Sequence, residues 1–288
     1  MRWRHAGVAE RRTEYIVQCT RCHHVPVSIE RSSAGDPTRT LELLWRVPAP
    51  AARRGPRQGL SIDVVVSAAT AVADSEGLAA VTMRRVAQAL EVAPMTLYTY
   101  VPGKAELLDL MLDAVYVQMP RTGTTGQPWR QRVTAVAEEN RALFEAHPWA
   151  ATVSTTRPPL GPGLMVKYEH ELSALDDLGL DDVEMDAALT YLLSFVQSCA
   201  RDATAARISQ QDSAMDEEQW WAANAPLLAR VLDTDAYPIA ARVGAAAGAA
   251  YGSAYSPEYA YEFGLRRVLD GLAALIESPD RDSAPNGD

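Results

Sequence analysis

The 288-residue sequence has few of the residues and segments that several classes of protein need. Its three cysteines are too few, and odd in number, for a disulfide framework, which favours a reducing compartment. The longest uncharged apolar-rich runs, residues 64–73 and 243–255, are shorter than the roughly 18 residues that span a bilayer. No basic flank precedes an apolar core at the N-terminus, so we expect a cytoplasmic protein with no membrane partner.

The five histidines offer little material for catalysis. There is no glycine-flanked nucleophilic serine, no phosphate-cradling loop and no histidine pair at metal-ligand spacing. His147, or His170 beside Glu169 and Glu171, would be the acid–base group of a helical enzyme acting on a bound small molecule. These side chains are more simply interpreted as solvent-exposed surface residues. We therefore expect a protein that is not an enzyme and uses no cofactor.

A second alternative depends on the segment Cys19-Thr-Arg-Cys22-His23-His24. This segment is similar to half of a zinc site, and formally to a haem-attachment motif, so it would make the chain metal- or redox-responsive. Zinc requires four well-spaced ligands, however, and no second cysteine pair follows. We therefore expect no metal site.

Charge is distributed unevenly along the chain. Residues 1–59 carry a net charge of +6, residues 60–104 carry −1 and residues 105–288 carry −15. Because a strongly acidic segment repels polyanions, any contact with nucleic acid must lie in the N-terminal third. An unstructured basic leader would show the same charge, so charge alone leaves both interpretations open.

The sequence predicts an all-α fold, since it has 48 alanines against 17 glycines and no alternating β-branched strands. Residues 1–55 show no sustained period, and we expect a mostly disordered basic extension there. Residues 56–104 are expected to form a three-helix domain. A larger helical domain follows over 105–277, and a disordered tail over 278–288. Apolar periodicity and caps predict helices at 62–76, 82–90, 94–101, 104–119, 129–146, 164–178, 183–206, 217–232 and 257–276.

Two of these helices, 82–90 and 94–101, are joined by a three-residue turn and have the dimensions of a helix-turn-helix. Buried Val86, Leu90 and Leu97 would fix the angle between the helices, with the small Ala87 at their crossing. The outward residues of the second helix are hydroxyl-bearing, aromatic or apolar, and suit phosphates and thymine methyl groups: Met95, Thr96, Tyr98, Thr99 and Tyr100. A generic pair of packed helices remains the alternative.

The string VTMRRVAQALEVAPMTLYTYVPGKAELLD, residues 81–109, closely resembles the DNA-binding domain of TetR-type (tetracycline-repressor) regulators. The match covers residues 59–116, and YEFGLRRVLDGL at 261–272 is similar to the last helix of the family's C-terminal domain. This resemblance implies a ligand-responsive regulator, most simply a repressor, with a helix-turn-helix DNA-binding domain at 56–104 and a helical effector-binding and dimerisation domain at 105–277. It would bind a palindromic double-stranded operator as a homodimer and be released by a small-molecule effector.

The resemblance also implies roles for residues of this chain. Arg84 would approach a base edge, and Pro94 and Met95 would meet bases or methyl groups at the tip of the reading helix. Phosphates would be bound by the following side chains: Thr82, Thr96, Tyr98, Tyr100 and Lys104. A basic arm along the backbone or in the minor groove would come from Arg53, Arg54 and Arg57, for which a solvated linker is the alternative.

Two residues depart from the family pattern. Glu91 stands where the turn usually has glycine, and Ala93 stands where serine or threonine commonly caps the reading helix. A residue forced to positive φ and a lost cap each cost about 1 kcal/mol. We therefore expect modest operator affinity.

The predicted last helix has an apolar face for the core and an opposite side of small residues that would admit a helix of a second copy. The small residues are Ala260, Gly264, Gly271 and Ala274. As in the resembled family, the helix at 183–206 would complete a four-helix dimer interface. The alternative to a dimer interface is that the predicted last helix is a loosely packed helix within a single copy.

Effector-binding residues are predicted from aromatic and polar side chains of the C-terminal domain. The candidates are His147, Trp149, Tyr168, His170, Tyr191, Phe195, Gln197, Trp220, Trp221 and Asn224. Pro120 and Val153 stand at positions where magnesium-tetracycline-binding members of the family have histidines. We therefore expect a different effector, apolar or aromatic.

Overall fold

A computed structural model describes residues 30–47, 59–213 and 215–277. These residues form twelve α-helices, one 3₁₀ turn (Leu78–Ala80) and one isolated β-bridge between Arg31 and Ser154. The helices are α1 (Pro37–Leu44), α2 (Ile62–Glu76), α3 (Met83–Ala89), α4 (Pro94–Leu97), α5 (Lys104–Gln118), α6 (Trp129–Ala146), α7 (Pro148–Thr152), α8 (Pro162–Ser173), α9 (Asp182–Ser213), α10 (Glu217–Val231), α11 (Pro238–Tyr251) and α12 (Pro257–Ile276). Among these residues, no helix combines the length and apolar character needed to cross a membrane.

Helices α2, α3 and α4 pack together as an N-terminal unit. The Ser61 side chain caps α2 by accepting a hydrogen bond from Val64 N (3.2 Å), and the Thr82 hydroxyl caps α3 by accepting one from Arg85 N (3.1 Å). Apolar residues spaced three and four apart then face inward, and the fully buried ones include Val65, Val86 and Leu97. These residues belong to one hydrophobic core that continues through α5 into the rest of the molecule.

Helix α5 joins this unit to the body, which comprises α6 to α12. Its first turns pack against α2 and its side also packs against α8, and the body is held together by contacts of α6, α7 and α12 with α9. Leu107, Met111 and Leu112 of α5 are fully buried. A movement of α5 would therefore displace residues in both the N-terminal unit and the body.

Several predicted helices differ from those observed. Helix α4 ends at Leu97 rather than 101, because residues 98–100 continue in a turn with hydrogen bonds from Thr99 N to Thr96 O and from Tyr100 N to Leu97 O. Helix α8 lies at Pro162–Ser173 rather than 164–178, and α9 continues to Ser213. The short α7 and the alanine-rich α11 were not predicted, since five residues carry little periodicity and α11 has little polar face.

The prediction of disorder over 1–55 is wrong for residues 30–47. Asp36 caps α1 by accepting from Arg39 N (2.8 Å), Pro37 occupies its first turn, and Leu43 and Leu44 are buried against α5. An eight-residue helix has only about two turns, which are too few to establish an apolar periodicity. Helix α1 was therefore not predicted. Residues 1–29, 48–58 and 278–288 lie outside the described residues, and so do Cys19, Cys22, His23, Arg53, Arg54 and Arg57.

Candidate DNA interface and effector cavity

The tip of the N-terminal unit presents α4 to solvent. The side chain of Met95 is 74% exposed and that of Tyr98 is 46% exposed, while Leu97 between them is fully buried. Pro94 is exposed as well, and Thr96 and Tyr100 are half-buried. Burying Leu97 therefore fixes which side of α4 faces outward, and that side carries the apolar and phenolic groups predicted to contact DNA.

The turn between α3 and α4 has the two predicted irregularities. Glu91 has φ of 55°, and Ala93 provides no side-chain cap for α4. Hydrogen bonds from Val92 N to Ala87 O (3.0 Å) and from Glu91 N to Gln88 O (3.2 Å) close the C-terminus of α3 in a Schellman motif. The glutamate thus occupies the left-handed position that favours glycine, at a cost of about 1 kcal/mol.

The two arginines of α3 have different surroundings. Arg85 Nε donates to both carboxylate oxygens of Glu76 at 3.1 Å, and this hydrogen bonding lowers the pKa of Glu76. Arg84 is exposed and makes no ion pair with a described residue. Only Arg84 is therefore available to an incoming base or phosphate without breaking an existing ion pair.

The remaining predicted phosphate contacts are partly engaged within the chain. The Thr99 hydroxyl donates to Thr96 O (2.6 Å), and the Thr82 hydroxyl accepts the capping hydrogen bond of α3. Lys104 Nζ lies 2.6 Å from Glu30 Oε1 and is only one-third exposed. Sequence reasoning could not foresee this ion pair, since the two residues are 74 positions apart.

Two predicted effector residues lie instead at the junction between the N-terminal unit and the body. His147 Nδ1 lies 2.9 Å from Asp74 Oδ1, and Trp149 Nε1 donates to the same oxygen at 2.8 Å. Asp74 belongs to α2, so these contacts fasten α2 to α7 of the body. His147 also borders a cleft of about 640 Å³ between α2 and α5.

Other predicted effector residues hold neighbouring helices together. His170 Nε2 lies 2.8 Å from Glu139 Oε2, and Tyr168 OH donates to Asp186 Oδ1 at 2.7 Å. Gln197 Nε2 donates to Ala151 O at 3.1 Å. Each of these side chains already has a hydrogen-bonding partner in the body.

The aromatic candidates are dispersed. Tyr191 is 59% exposed on α9, and Asn224 donates to Trp220 O on α10. Trp221 covers Gly248 of α11. These side chains do not share one site.

Phe195 explains one of the two glycines of α12, in a way that differs from the prediction. Its ring stacks on Tyr261 with the centroids 5.8 Å apart. A Cβ atom at Gly264 would overlap the Phe195 ring. Gly264 therefore admits a side chain of its own chain rather than a helix of a second copy, whereas Gly271 is exposed and has open space beside it.

A cavity of about 450 Å³ opens between α6, α9 and the start of α12. Its apolar wall is formed chiefly by Phe144, Val196, Cys199, Ala200, Ala203 and Tyr261. None of the predicted effector residues is among those that line it. One feature of the sequence could have indicated this cavity, namely the run of small residues along one side of α9. Short side chains there leave space between α9 and the larger side chains of the neighbouring helices.

Charged groups border this cavity. Arg141 lies over the Tyr261 ring at 4.5 Å and forms ion pairs with Glu145 and Glu258. Burial, with Glu138 as its hydrogen-bond acceptor, raises the pKa of Tyr261 well above its usual range. Arg207 donates only to the Thr204 hydroxyl (3.2 Å) and makes no ion pair with a described residue. The cavity therefore has an apolar wall and, at its edge, a cation that forms no ion pair with a described carboxylate.

The part of the chain that the structure describes contains no group of three histidine, cysteine or acidic side chains suited to a metal ion. The segment with Cys19, Cys22 and His23 lies outside that part, so the structure does not bear on the metal- or redox-responsive alternative.

An exposed helix-turn-helix joined to a helical body with a cavity is the arrangement of a ligand-responsive transcriptional regulator. Comparison with known proteins gives the family. The model of bacterial regulatory proteins of the tetR family matches residues 65–111, and that of the tetracyclin repressor-like C-terminal domain matches residues 120–276. The chain belongs to the tetR family and is a ligand-responsive transcriptional repressor.

Individual relatives agree with this assignment over most of the chain. The HTH-type transcriptional repressor DrrR1 of Streptomyces coeruleorubidus is 38% identical over 262 residues, which are 90% of this chain and 93% of that protein. The TetR family protein ActR of Streptomyces coelicolor in complex with actinorhodin is 27% identical, with a TM-score of 0.65 over 77% of this chain and 99% of that chain. Its complex with (S)-DNPA is also 27% identical, with a TM-score of 0.61 over 76% and 99%.

Proposed function

We propose that two copies of this chain bind a palindromic operator in the cytoplasm, each inserting α4 into a major groove. The observation that carries this proposal is the exposure of Met95 and Tyr98 around the buried Leu97, together with an exposed Arg84 that forms no ion pair with a described residue. A two-fold dimer of helix-turn-helix units reads half-sites about 34 Å apart, one turn of DNA. Base contacts from Arg84 would then give specificity, and the hydroxyl groups would fix the register on phosphates.

Exposed apolar side chains on α9 and α12 support the dimer. Val183 and Tyr191 of α9 are 77% and 59% exposed, and Tyr259 and Phe263 of α12 are exposed too. Isolated apolar side chains are ordinary on a protein surface, but a series along two neighbouring helices indicates a covered face. A second copy related by two-fold symmetry would bury this face against its own counterpart.

The effector would bind in the cavity between α6, α9 and α12. A volume of about 450 Å³ lies within the range of small-molecule sites, roughly 300–1,000 Å³. The apolar wall favours a compound with a ring system, and Arg207 favours an anionic or hydrogen-bond-accepting group on it. The ActR structures with actinorhodin and with (S)-DNPA show a structural relative occupied by small molecules.

Operator binding is tested with a duplex that the full-length protein selects from a random oligonucleotide pool. Tyr98→Ala and Arg84→Ala are expected to weaken binding at least tenfold in fluorescence anisotropy, since one good base contact contributes about 1–3 kcal/mol. Arg157→Ala is the matched control, because Arg157 is an exposed arginine of the body without an ion pair to a described residue. Unchanged affinity in the first two variants would reject α4 as the reading helix.

The cavity is tested with 1-anilinonaphthalene-8-sulfonate, an anionic aromatic probe. We expect Ala203→Trp, which fills the cavity, to remove probe binding there, and Arg207→Ala to weaken it. Arg157→Ala again serves as the control. Binding of the probe that is identical in all four proteins would place the effector site elsewhere.

A further inference from the structure

Residues 30–47, here called the N-terminal strap, connect the parts of the molecule that a repressor must hold at a fixed angle. At one end Glu30 forms an ion pair with Lys104, the first residue of α5. At the other end Arg46 forms an ion pair with Asp63 at the start of α2. The strap therefore contacts α5 at one end and α2 of the N-terminal unit at the other.

The same strap is bound to the body along the loop between α7 and α8. Backbone hydrogen bonds join Ser32 N to Ser154 O (3.1 Å) and Ser154 N to Glu30 O (3.0 Å). The Ser32 hydroxyl donates to Arg157 O (2.6 Å), and Trp45 Nε1 donates to Leu160 O (2.8 Å). Contacts of this kind at both ends of the strap tie it to one loop of the body.

The middle of the strap packs on α5 between these attachments. Leu43 and Leu44 are 5% and 3% exposed, and Ser33 N donates to the fully buried Asp109 at 2.7 Å. At Gly35 a Cβ atom would overlap the Glu106 carboxylate, so the backbone lies close against α5. Exposed ion pairs stabilise little, and the attachment of the strap depends mainly on these buried contacts.

Helix α2 is consequently held at two points. Its C-terminal end is fastened to the body by Asp74, which accepts from Trp149 and lies beside His147. Its N-terminal end contacts the strap through the exposed Arg46–Asp63 ion pair, while the buried Leu43 and Leu44 hold the strap on α5, which itself packs against α2. Eleven residues separate the two aspartates, a rise of about 16 Å along the helix. A single attachment would let α2 pivot about that point. Two attachments that far apart prevent this pivoting.

We infer that the N-terminal strap is a positioning element, which fixes the angle between the N-terminal unit and the body and so prepares both reading helices for the operator. This inference rests on the proposed function for its effect on DNA. Loosening the strap widens the range of angles, and each protomer must then lose that freedom on binding, which lowers operator affinity.

The test undocks α1 and measures the angle directly. Leu43→Ser combined with Leu44→Ser removes the buried side chains, and Leu41→Ser is the matched control because Leu41 lies on the exposed side of the same helix (41%). Trp45→Phe is a milder variant, since it removes the indole N–H and the smaller ring of a half-exposed side chain. Circular dichroism verifies that each protein is folded.

Spin labels on cysteines introduced at the exposed positions Ala89 of α3 and Glu169 of α8 report the distance between unit and body. The native cysteines are replaced by serine, and labelled chains are diluted with unlabelled ones so that distances within one chain dominate. We expect a broader distance distribution and at least fivefold weaker binding of the selected duplex for the double variant. Trp45→Phe should show a smaller change of the same kind, and Leu41→Ser no change.

An unchanged distance distribution in the double variant would overturn the inference, and so would operator affinity that stays the same or becomes tighter. The distance measurement requires no DNA. If the native protein selects no duplex at all, the proposed function fails while the distances still decide whether the strap fixes the angle.

Discussion

Asp109 makes the stability of this protein depend on pH. Its side chain is fully buried on α5, where the desolvation of the carboxylate raises the pKa to about 6, opposed by the hydrogen bond from Ser33 N and assisted by nearby Glu106. The unfolded chain has the ordinary value of 3.8. A raised pKa means that the native state binds the proton more tightly, so the contribution of Asp109 to stability is largest below pH 4 and is lost as pH rises through 6.

The size of the decline follows from the shift. One pKa unit corresponds to about 1.4 kcal/mol, so a shift of roughly two units gives about 3 kcal/mol between pH 4 and pH 7.5. Asp109→Asn removes this pH-dependent contribution, because an amide carries no charge at any pH. The amide oxygen still accepts the hydrogen bond from Ser33 N.

Urea denaturation of both proteins at equal concentration, at intervals from pH 4 to 7.5, isolates the contribution of this group. We expect the variant to gain about 3 kcal/mol relative to the native protein over that interval. Carboxylates that do not interact with Asp109 titrate alike in both proteins and cancel in the difference. Two pH profiles that run parallel within 1 kcal/mol would show that Asp109 is not desolvated as described.

Three further substitutions test the packing and the turn. Gly264→Ala should cost about 1–3 kcal/mol in the free energy of unfolding, because the new methyl group overlaps the Phe195 ring. Glu91→Gly should raise that free energy by about 1 kcal/mol, since glycine accepts the positive φ without strain. Glu171→Gln should cost about 3–5 kcal/mol, because it leaves the ammonium group of Lys167, now 2.6 Å from Glu171 Oε1, buried without its counter-charge. Thermal or urea unfolding checks all three.

Each substitution has a control or a contradicting result. Gly271→Ala has open space beside it and should be neutral or stabilising, so equal losses at Gly264 and Gly271 would contradict the packing argument. A destabilised Glu91→Gly protein would show that the glutamate is favoured in its turn. Glu171→Gln at native stability would show that the Lys167 ammonium finds water.

Local sequence patterns predicted most of the fold. Capping residues and three–four spacing located α2, α6, α10 and α12 to within a residue or two, since each is amphipathic over at least four turns. The pattern around Leu97 also predicted the exposure of Met95, Tyr98 and Thr99, whereas Thr96 and Tyr100, predicted to face outward as well, are half-buried. Short helices such as α1 and α7 carry too few turns to stand out from a loop.

Contacts between distant parts of the chain were the information that the sequence alone did not supply. Lys104 was expected on DNA, yet Glu30 binds it from far along the chain. His147 and Trp149 were expected in an effector site, yet Asp74 of α2 binds both. A cavity is likewise the space between three helices, so the small residues along α9 indicate one wall of it but not the residues of α6 and α12 that complete it.

The most direct test of the central claim is photo-cross-linking from the tip of α4. A benzophenone amino acid is placed at Met95, 74% exposed, and in a separate protein at Tyr237, 59% exposed and outside the N-terminal unit. We predict that irradiation with the selected duplex links the protein to a base from position 95 and not from position 237. Absence of a DNA adduct at position 95, or equal adducts at both positions, would contradict the account.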